Sequence, residues 1–422
     1  MGWKEQRRAH PAASSPLPTR GALLVSSLPA RAARTIRRVG DEIFGQPQPP
    51  VYLVSAGGQP NFGDEFITRA WLDWLAEHQP NREVWLDTIE PGRASHLFRN
   101  THPRLKTTNT LWHATHTGPS DDHEAAAARM RALIRDLGSP RYDLGLRDLR
   151  GMGSIHLLGG GYMNSIWPEN FGVVEAMVTL KEDYGVPIFA TGQGLLPHDG
   201  PTFDWLRDRL REFDYVEARD GESARTFGVI HGLDDAFLAF ANERPIYAPS
   251  EGLPATMVLV QGDVEDTRQD ARLERSVEQF MSAQESVSEV GFVEGIPPED
   301  FRRAAPFVAD SAPFFPFMRI WDEGFPAREG QRWLTTRFHF HLLAAAAGAS
   351  GTVVDARPGY YDIKHASLQE LGTGWTSWEP AEDDDADAGM IPAPTRNVDF
   401  PARAQEFGLR KAELAARLYS AR

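Results

Sequence analysis

The sequence predicts an α/β protein built from two successive series of strands and helices. Three observations lead there. Short apolar runs such as Val51–Ser55 (VYLVS), Ile155–Leu158 (IHLL), Thr256–Gln261 (TMVLVQ) and Gly351–Asp355 (GTVVD) have the length and composition of buried parallel strands. Several of these strands run into a glycine-rich or charged loop and then into a helical pattern. Near Ala248–Pro254 (APSEGLP) the composition turns to that of a linker, and the alternation starts again. The parts are a basic N-terminal arm at 1–46, an N-terminal α/β domain at 47–247, a C-terminal α/β domain at 248–398 and a terminal helix at 399–422.

The arm carries eight Lys or Arg up to Arg38 against one acid, Glu5. It reads as a loosely attached extension; a weak contact with an acidic partner or membrane surface is the sharper alternative. After the Val51–Ser55 strand, AGGQPNFGDEF makes a loop, and from Asp64 the apolar residues Phe66, Ile67, Ala70, Trp71, Trp74 and Leu75 follow helical spacing. Asn61 and Asp64 are the polar candidates here, with turn former and helix N-cap as their plain structural readings. Glu83–Asp87 is a second strand, His102–Asp121 is irregular and Asp122–Leu137 is a helix. Ile155–Leu158 runs into Gly159, Gly160 and Gly161, which bring backbone close to something. Val173–Tyr184 is a helix, Pro187–Ala190 a strand leading to TGQGLLP with Gln193 between two glycines, and Phe213–Ala218 a strand leading to Arg219. Ligands bind outside such strand ends in open α/β sheets, so these four loops form one lip of a cleft. In the second series, Leu273–Val287 and Pro298–Val308 are helices and Gly291–Glu294 is strand-like. Ala312–Asp322 is an aromatic loop against the core. Glu379–Asp387 holds six acids in nine positions and reads as a solvated loop, and Ala402–Arg422 is an amphipathic helix.

Of the 422 residues, 41% are hydrophobic and 24% charged, values normal for a globular protein, and the formal net charge of −15 argues against a nucleic-acid partner. An anionic ligand must therefore be captured by local cations. With no cysteine, disulfides, zinc–thiolate sites and cysteine nucleophiles are excluded, which fits a cytoplasmic protein. No apolar run is long enough to span a membrane, and Gly21–Ala33, broken by Ser and Pro, is a poor secretory signal. No metal cluster stands out.

The most informative stretch is Thr335–Lys364. Arg337 and His339 open an alanine-rich helix that stops at Gly348, and a glycine and tyrosine loop follows the next strand and ends at Lys364. A helix N-terminus favours an anion, the Arg fork matches carboxylate or phosphate, and a His can move protons near neutral pH. His339 and His341 point to nearly opposite sides of a helix, so one of them faces the cleft; His339, beside Arg337, is the candidate.

These pieces, in this order, resemble the polysaccharide pyruvyl transferase family. The resemblance is carried by NFGDE at Asn61–Glu65, LLGGG at Leu157–Gly161, TGQGLLP at Thr191–Pro197, ARDGES at Ala218–Ser223, DDAF at Asp234–Phe237, RFH at Arg337–His339 and the tyrosine–lysine loop at Tyr361–Lys364. The chain departs from the family at Phe338, where Leu or Ile is usual, and at Gly348-Ala349-Ser350, where Gly-x-Pro is usual. The resemblance implies two Rossmann-like domains facing a cleft, similar to GT-B glycosyltransferases. It implies phosphoenolpyruvate as donor substrate with no cofactor or metal, and a pyruvate ketal on a sugar or glycan acceptor, free or lipid-linked, handled in the cytoplasm or at the inner face of the membrane. It puts Arg219, Arg337 and His339 at the donor site. On this reading Arg219 and Arg337 clamp the donor, His339 is the acid/base group, Gly159, Gly160 and Gly161 add N–H donors, and Lys364 neutralises leaving phosphate. A GT-B glycosyltransferase using a nucleotide sugar and a non-catalytic glycan-binding relative are the competing classes.

Overall fold

The computed structural model describes residues 48–118, 123–137, 143–198, 200, 202–263, 267–284, 289–309, 311–355, 361–378 and 390–420. The basic arm, the acidic segment 379–387 and the glycine and tyrosine loop at 356–360 lie outside them. The first sheet contains β1 (Val51–Val54), β2 (Val84–Asp87), β3 (Leu105–Thr108), β4 (Ser154–Leu157), β5 (Ile188–Gln193), β6 (Tyr215–Ala218) and β7 (Ile230–His231), in the spatial order β3-β2-β1-β4-β5-β6-β7. The second contains β8 (Thr256–Leu259), β9 (Val290–Val293), β10 (Phe314–Phe315), β11 (Arg332–Thr335), β12 (Ser350–Val354) and β13 (Thr376–Trp378), ordered β10-β9-β8-β11-β12-β13. Every pairing between these strands is parallel.

Both sheets are doubly wound. Their chain order reverses between β1 and β4 in the first and between β8 and β11 in the second, and such a reversal opens a crevice at the strands' C-terminal ends. The central strands are apolar and buried on both faces because helices cover both sides. The two-sheet α/β class expected from the sequence is therefore observed.

Several expectations are corrected. His102–Asp121 is not wholly irregular: it contains β3 and the Thr110–His116 helix. Edge strand β3 (LKTT) is too polar to read as a buried strand. Ala312–Asp322 is not a loop either; β10 and the Phe317–Glu323 helix occupy it. Strands β7, β11 and β13 carry little sequence signal because each is short or begins with a polar residue.

Pro49–Arg422 forms one compact unit. Its halves are joined beneath the crevice by an aromatic cluster in which Phe62 lies 5.7 Å from Phe325 and 5.3 Å from Phe340, ring centre to ring centre. The Phe62 N–H donates to the Gly295 carbonyl across the same seam at 3.0 Å. The Phe400–Tyr419 helix returns to the first half, where buried Lys411 meets Glu217 and Asp235. Among the described residues no helix is long and apolar enough to cross a membrane.

Candidate active site

The two crevices face one another across a cavity of about 520 Å³, within the usual range for small-molecule sites. Its first wall begins at the loop after β1. Asn61, not Asp64, caps the Phe62–His78 helix: its side chain accepts from the Gly63 N–H at 3.3 Å and donates to Asp64 Oδ2 at 2.7 Å. The helix thus starts two residues earlier than the apolar spacing suggested, and Asp64 sits in its first turn, on the cavity wall. Burial raises the Asp64 carboxyl above its ordinary value, against the opposing charges of His339, Arg219 and Lys364.

Arg219 leaves the end of β6 and Asp234 follows β7. Both are buried, with Arg219 Nη1 2.8 Å from Asp234 Oδ2. The other carboxylate oxygen, Asp234 Oδ1, accepts from the Ala236 N–H at 2.8 Å and lies 3.2 Å from His339 Nε2. Burial pushes the Asp234 carboxyl up, but His339, Arg219 and the Ala236 N–H outweigh it and hold the group well below the usual carboxylate range. Arg219 also lies over the Phe338 ring, 4.4 Å from its centre. The family departure at Phe338 therefore supplies a face for the buried guanidinium.

The second wall begins at β11. Arg337 is the N-cap of the Phe338–Ala346 helix, and its N–H donates to Thr335 Oγ1 at 3.1 Å. Its guanidinium makes a bidentate pair with buried Asp300, at 2.8 Å and 2.5 Å, and a further bond of 2.8 Å to half-exposed Asp263. Asp300 also accepts from the N–H groups of Gly262, Gly295 and Ile296. It fixes the plane of Arg337 and ties down the loops after β8 and β9.

His339 projects across the seam onto Gly63. A Cβ built on Gly63 would lie 2.1 Å from His339 Nδ1, so only glycine leaves room for the ring there. His341 points away from the cavity: it bonds His365 at 3.2 Å and Thr373 at 2.9 Å and stacks on Trp375, and burial holds its ring well below the usual histidine value. Lys364 also lines the cavity, but it belongs to the Tyr361–Glu370 helix and does not end a loop. Burial and neighbouring Arg219 and Arg337 pull its ammonium well below the usual lysine value, while Asp64 and Asp263 pull the other way.

The glycine triplet is divided. The Gly159 N–H donates to Asp235 at 2.8 Å, behind the wall, so it is not aimed into the cavity. Gly160 bridges to Gln193, and a Cβ on it would meet the Tyr162 ring at 2.3 Å. Of the three, Gly161 lines the cavity. Gln193 is buried too, its amide nitrogen donating to the carbonyls of Leu157, Leu158 and Thr191. These residues hold the ends of β4 and β5 together, which explains their glycine content without a ligand. Arg219, Asp64, Asn61, Gly161, Arg337, His339 and Lys364 share the cavity, while Gly159 and Gln193 stand behind it.

Asp234, Asp263 and Asp300 are site residues that the sequence does not mark as such. Asp234 stands inside the DDAF motif, which sets a buried carboxylate behind Arg219 and His339 next to a core one: Asp235 accepts from Trp71, Thr191 and Gly159 and pairs with Lys411. Asp263 and Asp300 carried no signal of their own. Among the described residues no group of three or more His, Asp or Glu is arranged to hold a metal ion.

The polysaccharide pyruvyl transferase family profile matches residues 61–282, more than half of the chain. Comparison with curated proteins finds no match. Among solved structures, the chain is similar to the UDP-GlcNAc 2-epimerase from Methanocaldococcus jannaschii, with 10% identity, TM-score 0.47, and 86% of this chain and 99% of that one covered. A glycosyltransferase from Rickettsia africae matches with 8% identity, TM-score 0.46 and coverage of 89% and 100%. The UDP-GlcNAc 2-epimerase from Neisseria meningitidis bound to UDP-GlcNAc matches with 9% identity, TM-score 0.44 and coverage of 88% and 99%.

Proposed function

Because this chain belongs to the polysaccharide pyruvyl transferase family, we propose that it moves a pyruvyl group from phosphoenolpyruvate onto a pair of sugar hydroxyls and so forms a pyruvate ketal. The observation that carries this reading is the meeting of Arg219 and His339, from facing halves, on the single carboxylate of Asp234. Arg337 and Lys364 stand on the same cavity, so basic side chains from both halves border it although the chain carries a net charge of −15.

In this mechanism the donor's carboxylate and phosphate are held by Arg219, Arg337 and Lys364. Asp263, the exposed partner of Arg337, gives way to the anion, while buried Asp300 keeps the guanidinium oriented. An arriving phosphate favours the charged form of Lys364, which offsets its desolvation. Protonation of the donor's methylene carbon turns it into a methyl group and leaves C2 cationic. One sugar hydroxyl adds to C2 and loses its proton; the second displaces phosphate and loses its own. The products are the ketal and inorganic phosphate. His339, oriented by Asp234 through Nε2, is the group that moves these protons, a contribution typically of about 10²–10⁴-fold.

The test is incubation with phosphoenolpyruvate and a panel of lipid-linked, nucleotide-linked and free sugars, following phosphate release. His339→Ala, with native circular dichroism, should abolish most of the release; wild-type turnover by that variant would reject the role. In a thermal-shift series phosphoenolpyruvate should stabilise the protein. Stabilisation by nucleotide sugars alone would favour a glycosyltransferase, and ligand binding without turnover would favour a non-catalytic relative.

A further inference from the structure

Resting on that reading, we propose that the first-half end of the cavity is the acceptor subsite, and that it takes a neutral hexopyranose ring stacked on Trp167, not the phosphorylated part of an acceptor. Ile89, Trp112, His116, Tyr162, Trp167 and Glu169 all line the cavity and all come from the first half. Among the described lining residues, Lys and Arg are Arg219, Arg337 and Lys364. All three belong to the ionic cluster around Asp234, Asp300 and Asp64. Among the described lining residues the aromatic end thus offers Glu169 and no Lys or Arg, so a phosphate there would find no described cation.

The wall is built in advance. Trp112 Nε1 donates to the Ser55 carbonyl at 2.9 Å, and its ring stacks on His116, 5.5 Å between centres. The Asn170 amide donates to the Tyr162 carbonyl at 2.8 Å, which leaves Asn170 Oδ1 to accept the Nε2–H of His116 at 3.1 Å. Trp167 lines the cavity and is 37% exposed. An apolar ring face edged by a carboxylate matches a pyranose, whose C–H face is apolar and whose hydroxyls donate outward. The Tyr162 ring packs on Gly160, which also faces Asp64 at 3.4 Å from a built Cβ. A sugar on this wall therefore has hydroxyls directed at the ionic cluster, where the donor's C2 would lie.

The test supplies phosphoenolpyruvate with methyl gluco-, galacto- and mannopyranosides and, separately, with the UDP-linked forms of those sugars, following phosphate release. At least one methyl pyranoside should support release. Trp167→Ala should raise the KM for that pyranoside about tenfold and leave the KM for phosphoenolpyruvate within about twofold. Glu169→Gln, which keeps the shape, should move the acceptor KM in the same direction. Turnover with the UDP-linked sugars only, or an acceptor KM unmoved in both folded variants, overturns the subsite. Donor binding is read separately by thermal shift. Stabilisation by phosphoenolpyruvate that Arg219→Ala abolishes, with no methyl pyranoside accepted, overturns the subsite alone. No stabilisation at all overturns the donor reading, and the subsite with it.

Discussion

Gly63→Ala tests the site through a single methyl group. Gly63 lies in the first turn of the Phe62–His78 helix, where its backbone accepts any L residue. Taken alone the substitution should help the helix, since Gly costs roughly 0.5–1 kcal/mol relative to Ala in a helix interior. The new Cβ, however, would lie 2.1 Å from His339 Nδ1, 2.9 Å from Cε1 and 3.0 Å from Cγ. Carbon and nitrogen at ordinary contact stay about 3.5 Å apart, so the imidazole must retreat by more than about 1 Å. That movement also breaks the 3.2 Å contact with Asp234. Misplacement of a reacting group by about 1 Å costs on the order of 10²-fold in rate, or about 2.7 kcal/mol of transition-state stabilisation. Phosphate release should therefore fall about 100-fold in kcat/KM while the urea midpoint stays near wild type. Adding His339→Ala should cost nothing further, because both changes remove the same ring from the same place. Full activity in Gly63→Ala, or losses that multiply in the double variant, would refute the argument that this ring position is the one used.

Three other perturbations follow from the same geometry. Asp234→Asn keeps the Ala236 bond but strips the charge that Arg219 and His339 share; it should cost roughly 3–5 kcal/mol of stability in urea unfolding. Because the Asp234 carboxyl is held below its ordinary value, the stability it adds is present above about pH 4 and is lost as pH falls further, so the variant should lose the acid-side slope. Lys411→Met leaves Glu217 and Asp235 buried without their cation; a similar loss of roughly 3–5 kcal/mol is expected, with phosphoenolpyruvate binding retained in whatever protein stays folded. Asp87 has the opposite sign: burial pushes its carboxyl up to about 7 despite bonds from Tyr52 and Leu111. Its contribution is full below about pH 4 and disappears as pH rises through about 7, and the stability of wild type relative to Asp87→Asn should fall by about 1.4 kcal/mol per pH unit across that window. A flat difference would reject the assignment.

The sequence by itself determined the α/β alternation, most of the central strands and the side chain that faces the cleft at the Arg337–His339 turn. These are local properties: β-branched runs, glycine at strand ends, and a helical period that separates His339 from His341. Only the tertiary structure decided which polar residues share a cavity. Gly159 and Gln193 looked like ligand contacts because glycine and amide at a strand end serve equally well to lock two strands together, and spacing cannot tell the uses apart. Asp234 and Asp263 are far apart in the chain, yet each lies within hydrogen-bonding distance of the Arg337–His339 turn. Trp112 and His116 lie in a stretch too polar to read as structured, and Lys364, which follows a glycine and tyrosine run typical of a loop, belongs to a helix. A sheet order that reverses at β1–β4 and again at β8–β11 sets loops from both halves over one crevice, and that juxtaposition arises from folding, not from any window of neighbouring residues.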